Sequence, residues 1–234
     1  MNLMIKIFAD GANAEDILDM NNDKLIDGFT TNPTLMKKAG VANYQKFAHE
    51  ILNFVDKKPI SFEVFADEFD NMYSQAKKIS SWGDNVYVKI PVMNTKGENS
   101  YNLIKKLSQE KVKLNITAVF NLEQVQEIIN HLEKDSFAYV SIFAGRIADT
   151  GIDPVPIMKK AVGLLSPFEN IELLWASPRE ILNLYQAQEI GCHIITATPD
   201  ILSKMKLKNK DLIEYSRETV LMFYNDAKNA GYTL

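Results

Sequence analysis

Cysteine is almost missing: Cys192 is the only one in 234 residues. It can close no disulfide within the chain, and neither a cysteine-rich zinc site nor a redox pair can be built from it. Histidine is nearly as scarce, and His49, His131 and His193 are too few for a histidine-cluster metal site. There is no excess of charge either, with 26 Lys+Arg against 30 Asp+Glu for a net −4 and the two signs interspersed. That leaves no electrostatic footprint for nucleic acid or an anionic membrane. No stretch approaches the roughly 18 uninterrupted apolar residues of a membrane span. The opening MNLMIKIFAD is broken by Lys6 and ended by Asp10, too short an apolar run for a secretion signal and without a small-residue cleavage site after it. The 8 prolines and 10 glycines are not gathered into a linker, and 46% hydrophobic with 24% charged residues excludes a disordered tail. The expectation is a cytoplasmic protein in a reducing compartment, with neither nucleic acid nor membrane as partner.

What the chain does contain is alternation. Short β-branched or aromatic runs occur at 5–10, 25–31, 59–65, 86–92, 113–120, 137–143, 172–177 and 192–198. Most are followed by a stretch of helical period, as at 43–55, 68–82, 99–110 and 121–132, with Asn, Asp or Ser near several starts as N-caps. Eight such units in a chain of this length predict an α/β fold of the (β/α)8 TIM-barrel type, one domain over residues 1–234. An open doubly wound sheet is the competing arrangement, although its usual G-x-G-x-x-G fingerprint is missing.

Within the strands, successive side chains point to opposite faces. Val86, Val88, Ile90 and Val92 therefore oppose Lys89, and Ile60, Phe62 and Val64 oppose Glu63. Leu114, Ile116, Ala118 and Phe120 oppose Asn115 and Thr117, and Val140 and Ile142 oppose Ser141 and Phe143. Asp10 opposes Ile5, Ile7 and Ala9, while Thr30 and Asn32 share the face opposite Phe29. Tyr139 and Trp175 fall on the same interior parity and read as packing residues. The apolar face packs on the helices, so the polar set converges on the barrel axis near the C-terminal strand ends, where barrel enzymes keep their sites. Each polar residue alone could equally be a satisfied group at a strand end. Charged groups in a dry interior are costly unless paired or used, and an internal ion pair of Lys89 with Glu63 or Asp10 is the structural alternative to a reactive centre.

Lys89 lies mid-strand among Val, Ile and Pro, where burial disfavours an ammonium ion and a neutral amine is a nucleophile. Lys6 and Lys113 share its parity but stand at strand starts, away from the catalytic end. Schiff-base chemistry on a carbonyl needs such an amine, a proton shuttle and an acid/base group. Lys89, Glu63, Asp10 and Thr117 supply those types from four strands.

Taken in order, TTNPT (30–34), Glu63 in SFEVFA, Lys89 in YVKIPV, NIT (115–117) and SIFAGR (141–146) resemble the transaldolase family from about residue 5 to residue 200. The length resembles the family's short members, which include fructose 6-phosphate aldolases. The resemblance implies a class I aldolase barrel that forms a Schiff base on Lys89 with a ketose phosphate, cleaves C3–C4 and passes a dihydroxyacetone unit to an aldose phosphate. It makes Asp10 the acid/base at the C4 hydroxyl and gives Glu63 and Thr117 the proton-shuttling water. Asn32, Asn115, Ser141 and Thr30 would bind the dihydroxyacetone hydroxyls, and Arg146, Ser177 and Arg179 the phosphate. No metal or organic cofactor is implied.

Arginine forks match phosphate oxygens, and the Ser177–Arg179 segment is placed where the seventh strand meets a helix start. The alternatives are ion pairs of Arg146 with Asp149 or Asp153, and of Arg179 with Glu180 or Asn183. Gly11 departs from the family's more frequent Thr after the first-strand Asp, and Pro178 also differs. Glu63 and Phe143 stand where the resembled aldolases tend to have Gln and Tyr, which favours a transferase over a lyase. A non-catalytic sugar-phosphate-binding barrel is the reading from a different class. The segment 211–231 carries Leu212, Tyr215, Val220, Phe223 and Tyr224 beyond what barrel closure needs. In short members of the resembled family the C-terminal helix packs on a neighbouring subunit, often in a decamer, so a homo-oligomer is expected.

Overall fold

The computed structural model describes residues 4–234; the first three residues of the opening segment lie outside that range. Strands form at each of the period-two runs: β1 (Lys6–Asp10), β2 (Gly28–Thr30), β3 (Ile60–Glu63), β4 (Val86–Pro91), β5 (Leu114–Val119), β6 (Ala138–Ile142), β7 (Ile171–Trp175) and β8 (Ile194–Ala197). They pair in parallel and in sequence order, and β8 returns to β1, so the sheet is a closed (β/α)8 barrel and not an open one.

The crossovers are α1 (Ala14–Asn21), α2 (Pro33–Lys38), α3 (Tyr44–Leu52), α4 (Phe69–Ser80), α5 (Tyr101–Gln109), α6 (Leu122–His131), α7 (Ala144–Asp149), α8 (Val155–Leu165) and α9 (Leu182–Glu189). A short α10 (Pro199–Leu202) and the long α11 (Leu212–Asn229) follow β8. Asn13, Asn32, Asn43 and Asn121 accept first-turn backbone N–H groups, which satisfies donors that a helix start otherwise leaves open. Among the described residues, no helix is long and apolar enough to cross a membrane.

The alternation in each strand divides the apolar residues into two layers. Ile60, Phe62, Val88, Ile90, Leu114, Ile116 and Val140 face the helices in the outer core. Phe8, Tyr87, Tyr139, Leu174 and Ile194 fill the barrel interior. Tyr87 and Tyr139 stack with ring centroids 4.1 Å apart, and Phe8 meets Tyr139 edge-on at 5.6 Å. A Cβ at Gly28 would lie 2.7 Å from the Phe8 ring, so β2 carries glycine where that ring occupies the lumen.

Two observations correct the sequence-based parity. In β5, Ile116 pairs with Val140 but Val119 pairs with Ile142, a bulge centred on Ala118 in the left-handed region at φ 58°. Beyond it Val119 takes the outer position, and Ala118 and Phe120 line the interior mouth. Trp175 is likewise an outer-core residue, fully buried with Ile171 and Leu173. Strict alternation along β7 puts it there, with Leu174 and Ala176 on the inner face.

Candidate active site

The polar residues of the inner face gather at the C-terminal strand ends around a cavity of about 580 Å3. Register explains the grouping: Glu63 lies beside Lys89, and Lys89 beside Asn115, across three adjacent strands. Pro91 sits beside Thr117, and Asp10 beside Thr30.

Lys89 is 6% exposed. Its Nζ lies 3.2 Å from Glu63 Oε2 and donates to the Thr31 carbonyl at 2.8 Å. The ion pair expected as the structural alternative is thus present with Glu63, while Asp10 forms no direct bridge. Such a contact is compatible with a reactive amine, because it places a proton acceptor beside the nitrogen.

Asp10 Oδ1 accepts from Thr30 Oγ1 at 2.8 Å, and that hydroxyl is 2.6 Å from Thr196 Oγ1. Burial pushes the Asp10 carboxyl above the usual carboxylate range; the Lys89 charge and the Thr30 hydrogen bond pull the other way, and the Glu63 charge adds to the rise. A carboxylate with raised proton affinity is a stronger base.

Asn115 is fixed from both ends: it donates through Nδ2 to Ser61 Oγ at 3.0 Å and accepts at Oδ1 from Ser141 Oγ at 2.6 Å. Thr117 Oγ1 is buried without a hydrogen-bond partner, so an oriented hydroxyl is left for a water or a ligand. Asn32 also borders the cavity, although its Oδ1 caps α2 by accepting from Leu35 N at 2.9 Å.

The rim is basic on the β6–β7 side. Gly145 approaches so closely that a Cβ there would lie 1.5 Å from the Ser177 carbonyl oxygen, which locks the start of α7 against the loop after β7. Arg146 and Arg179 both border the cavity. Their ion pairing differs from the sequence-based alternatives. Asp149 is held by Arg179 through Nε at 3.0 Å and through Nη2, while the Arg146 guanidinium lies 5.5 Å over the Phe143 ring. Asn183 touches Arg179 only by accepting its backbone N–H at 2.8 Å. The helix after this loop, α9, begins at Leu182, three residues beyond Arg179, so its free N–H groups are further along than the sequence suggested. Phe143 packs against Phe120 with centroids 5.9 Å apart.

Sequence reasoning missed Ser61, Thr196 and Thr31. Ser61 shares the parity of Glu63, and Thr196 that of the buried inner residue Ile194, so alternation could have found both. Thr31 acts through its carbonyl, for which side-chain pattern carries no signal.

The family model described as Transaldolase/Fructose-6-phosphate aldolase matches residues 7–233. A probable transaldolase of Nitrosopumilus maritimus is 34% identical over 86% of this chain and 87% of its own length. A probable transaldolase of Thermoplasma volcanium is 36% identical over 88% of this chain and 89% of its own. Among solved structures, KGPDC from Streptococcus mutans superimposes with a TM-score of 0.58 at 9% identity, covering 85% of this chain and 89% of that one. Dihydrodipicolinate synthase from Rhodopseudomonas palustris gives 0.57 at 13% identity over 95% and 79%. At such low identities these two barrels speak for the fold alone. With a family model along nearly its whole length and relatives above 30% identity, the chain belongs to the transaldolase/fructose-6-phosphate aldolase family and is an enzyme of that family.

Proposed function

We propose that the protein is a transaldolase in the strict sense. It moves a dihydroxyacetone unit from a ketose phosphate, sedoheptulose 7-phosphate or fructose 6-phosphate, to an aldose phosphate through a Schiff base on Lys89. The observation that carries this reading is the buried Lys89 amine at the floor of a polar cavity, held between the Glu63 carboxylate and the Thr31 carbonyl.

In this reading the amine attacks C2 of the ketose and the carbinolamine loses water to give an iminium ion. Asp10 takes the proton of the C4 hydroxyl as the C3–C4 bond breaks. The electron pair of that bond moves onto the iminium, leaving the enamine of dihydroxyacetone, and the first aldose phosphate departs. The reverse steps on a second aldose return the proton from Asp10, and hydrolysis frees the lysine. Glu63 and the unpartnered Thr117 hydroxyl hold the water that carries protons around Lys89. Thr30, Asn32, Asn115 and Ser141 hold the hydroxyls of the three-carbon unit, and Arg146, Arg179 and Ser177 take the phosphate.

Transfer is favoured over cleavage because Phe143 offers no hydroxyl to hold a water that would protonate the enamine. Fructose 6-phosphate alone should then give little net cleavage, while added erythrose 4-phosphate should yield sedoheptulose 7-phosphate and glyceraldehyde 3-phosphate. Phe143→Tyr should raise the ratio of cleavage to transfer. Release of free dihydroxyacetone by the wild-type protein as fast as it transfers would give the lyase reading instead.

A further inference from the structure

The ladder between β2 and β3 is cut short at the catalytic end. Phe29 pairs with Ile60 and Thr30 with Ser61, with Phe29 N donating to Pro59 O at 2.8 Å and Thr31 N to Ser61 O at 3.1 Å. In a parallel ladder the next rung would run from Glu63 N–H to the Thr31 carbonyl. Neither group makes it. The Thr31 carbonyl accepts from Lys89 Nζ, and Glu63 N donates to Tyr44 Oη at 2.8 Å. The same phenol donates to the Glu63 carbonyl, also at 2.8 Å. One hydroxyl on α3 thus satisfies both backbone groups of a strand residue whose neighbouring strand has ended.

Tyr44 does not line the catalytic cavity. Its ring is set among Phe62, Phe65 and Trp82, at centroid distances of 6.4, 5.4 and 6.1 Å, so the hydroxyl has little freedom to move. Burial pushes that phenol well above its ordinary range, which keeps it protonated and able to donate and accept at once.

We infer that Tyr44 is a positioning residue, whose hydroxyl occupies the rung that would otherwise close between Glu63 and Thr31 and so leaves the Thr31 carbonyl to hold the Lys89 amine. Its effect on turnover rests on the Schiff-base reading of Lys89; the exchange of rungs itself does not. Without the hydroxyl, the partly buried Glu63 N–H would be unpaired, and the acceptor that the parallel ladder offers it is the carbonyl that the lysine now uses.

Tyr44→Phe removes only the hydroxyl. A crystal structure of the variant should have Glu63 N closed onto Thr31 O and Lys89 Nζ displaced from it. Turnover and the rate of borohydride-trapped imine should fall together by roughly 10- to 100-fold, as for a misplaced reacting group. KM for the ketose phosphate should stay within about twofold, because the substrate contacts are untouched. Lys89 still bonded to Thr31 in the variant, or an unchanged trapping rate, would overturn the inference. A wild-type protein that traps no imine would sink the Schiff-base reading, while the variant's crystal structure would still decide the rung exchange. Should the variant not fold, amide NMR of the wild-type chain decides it: a Glu63 N–H paired with the Tyr44 hydroxyl supports the exchange, and one paired with Thr31 refutes it.

Discussion

Arg146→Ala and Arg179→Ala remove guanidinium groups of unequal freedom. Arg146 has no carboxylate partner among the described residues and lies over the Phe143 ring, so all its donors are open to an incoming phosphate. A hydrogen bond to a charged group contributes about 1.5–3 kcal/mol, and on an exposed, salt-screened rim the lower part of that range applies, about 1.5–2 kcal/mol. That corresponds to roughly 10- to 30-fold in affinity. Arg179 already grips Asp149, and a phosphate must share its fork with that carboxylate. Its removal should therefore matter less, about 3- to 10-fold. Asp149→Asn should tighten phosphate binding by freeing the fork and removing a like charge. The assay is the half-saturating concentration for imine trapping on Lys89, measured with fructose 6-phosphate and with free dihydroxyacetone at one ionic strength. The arginine variants should move the first and leave the second unchanged. Equal losses on both compounds would refute the phosphate role.

Three further outcomes are expected. Lys89→Met should abolish turnover and borohydride labelling while circular dichroism stays that of the wild type, and peptide mapping of the labelled wild-type chain should find the adduct on Lys89; label on another lysine refutes the mechanism. Because burial raises the Asp10 proton affinity, the folded state binds more protons than the unfolded one above the ordinary carboxyl value of 3.8, and stability is lost as pH rises from there toward the folded value. Asp10→Asn should thus be inactive yet melt higher at neutral pH, by ~2–4 °C for each kcal/mol relieved, with the gain fading below about pH 4; a lower melting point at neutral pH contradicts this. We also propose that α11, which has no buried residue and leaves Leu212 79% and Ile213 83% exposed, packs on a second copy of the chain. Light scattering should find a homo-oligomer for the full chain and a smaller species after truncation before Asp211; a full-length monomer is the failing result.

Much of the barrel is legible in the sequence because a two-residue period converts directly into inside and outside. Lys89, Glu63, Asn115, Thr117 and Ser141 could be placed on one face by that rule alone, and Tyr139 lands in the lumen as its parity requires. The rule fails where a residue enters the left-handed region. Ala118 shifts the register of what surrounds it, and it is not a glycine that would announce the break. Partnerships between distant crossovers are also silent in a pattern of neighbours. Asp149 and Arg179 belong to α7 and the loop after β7, and only the folded geometry decides that they meet and leave Arg146 free. Tyr44 is silent for the same reason, since its helical position says nothing about which strand end its hydroxyl will reach.

The stacked Tyr87 and Tyr139 rings, with Phe8 edge-on to Tyr139, pack across the lumen below Lys89 and make the cavity a blind well. On the proposed transaldolase reading, donor and acceptor sugars would enter and leave by one mouth. In that reading the first aldose phosphate leaves by the mouth through which the second arrives, in keeping with the ping-pong order that the covalent enamine already requires. The aromatic floor would reinforce that order rather than create it. Opening a passage from below would give products a second exit without touching a reacting group or altering that order.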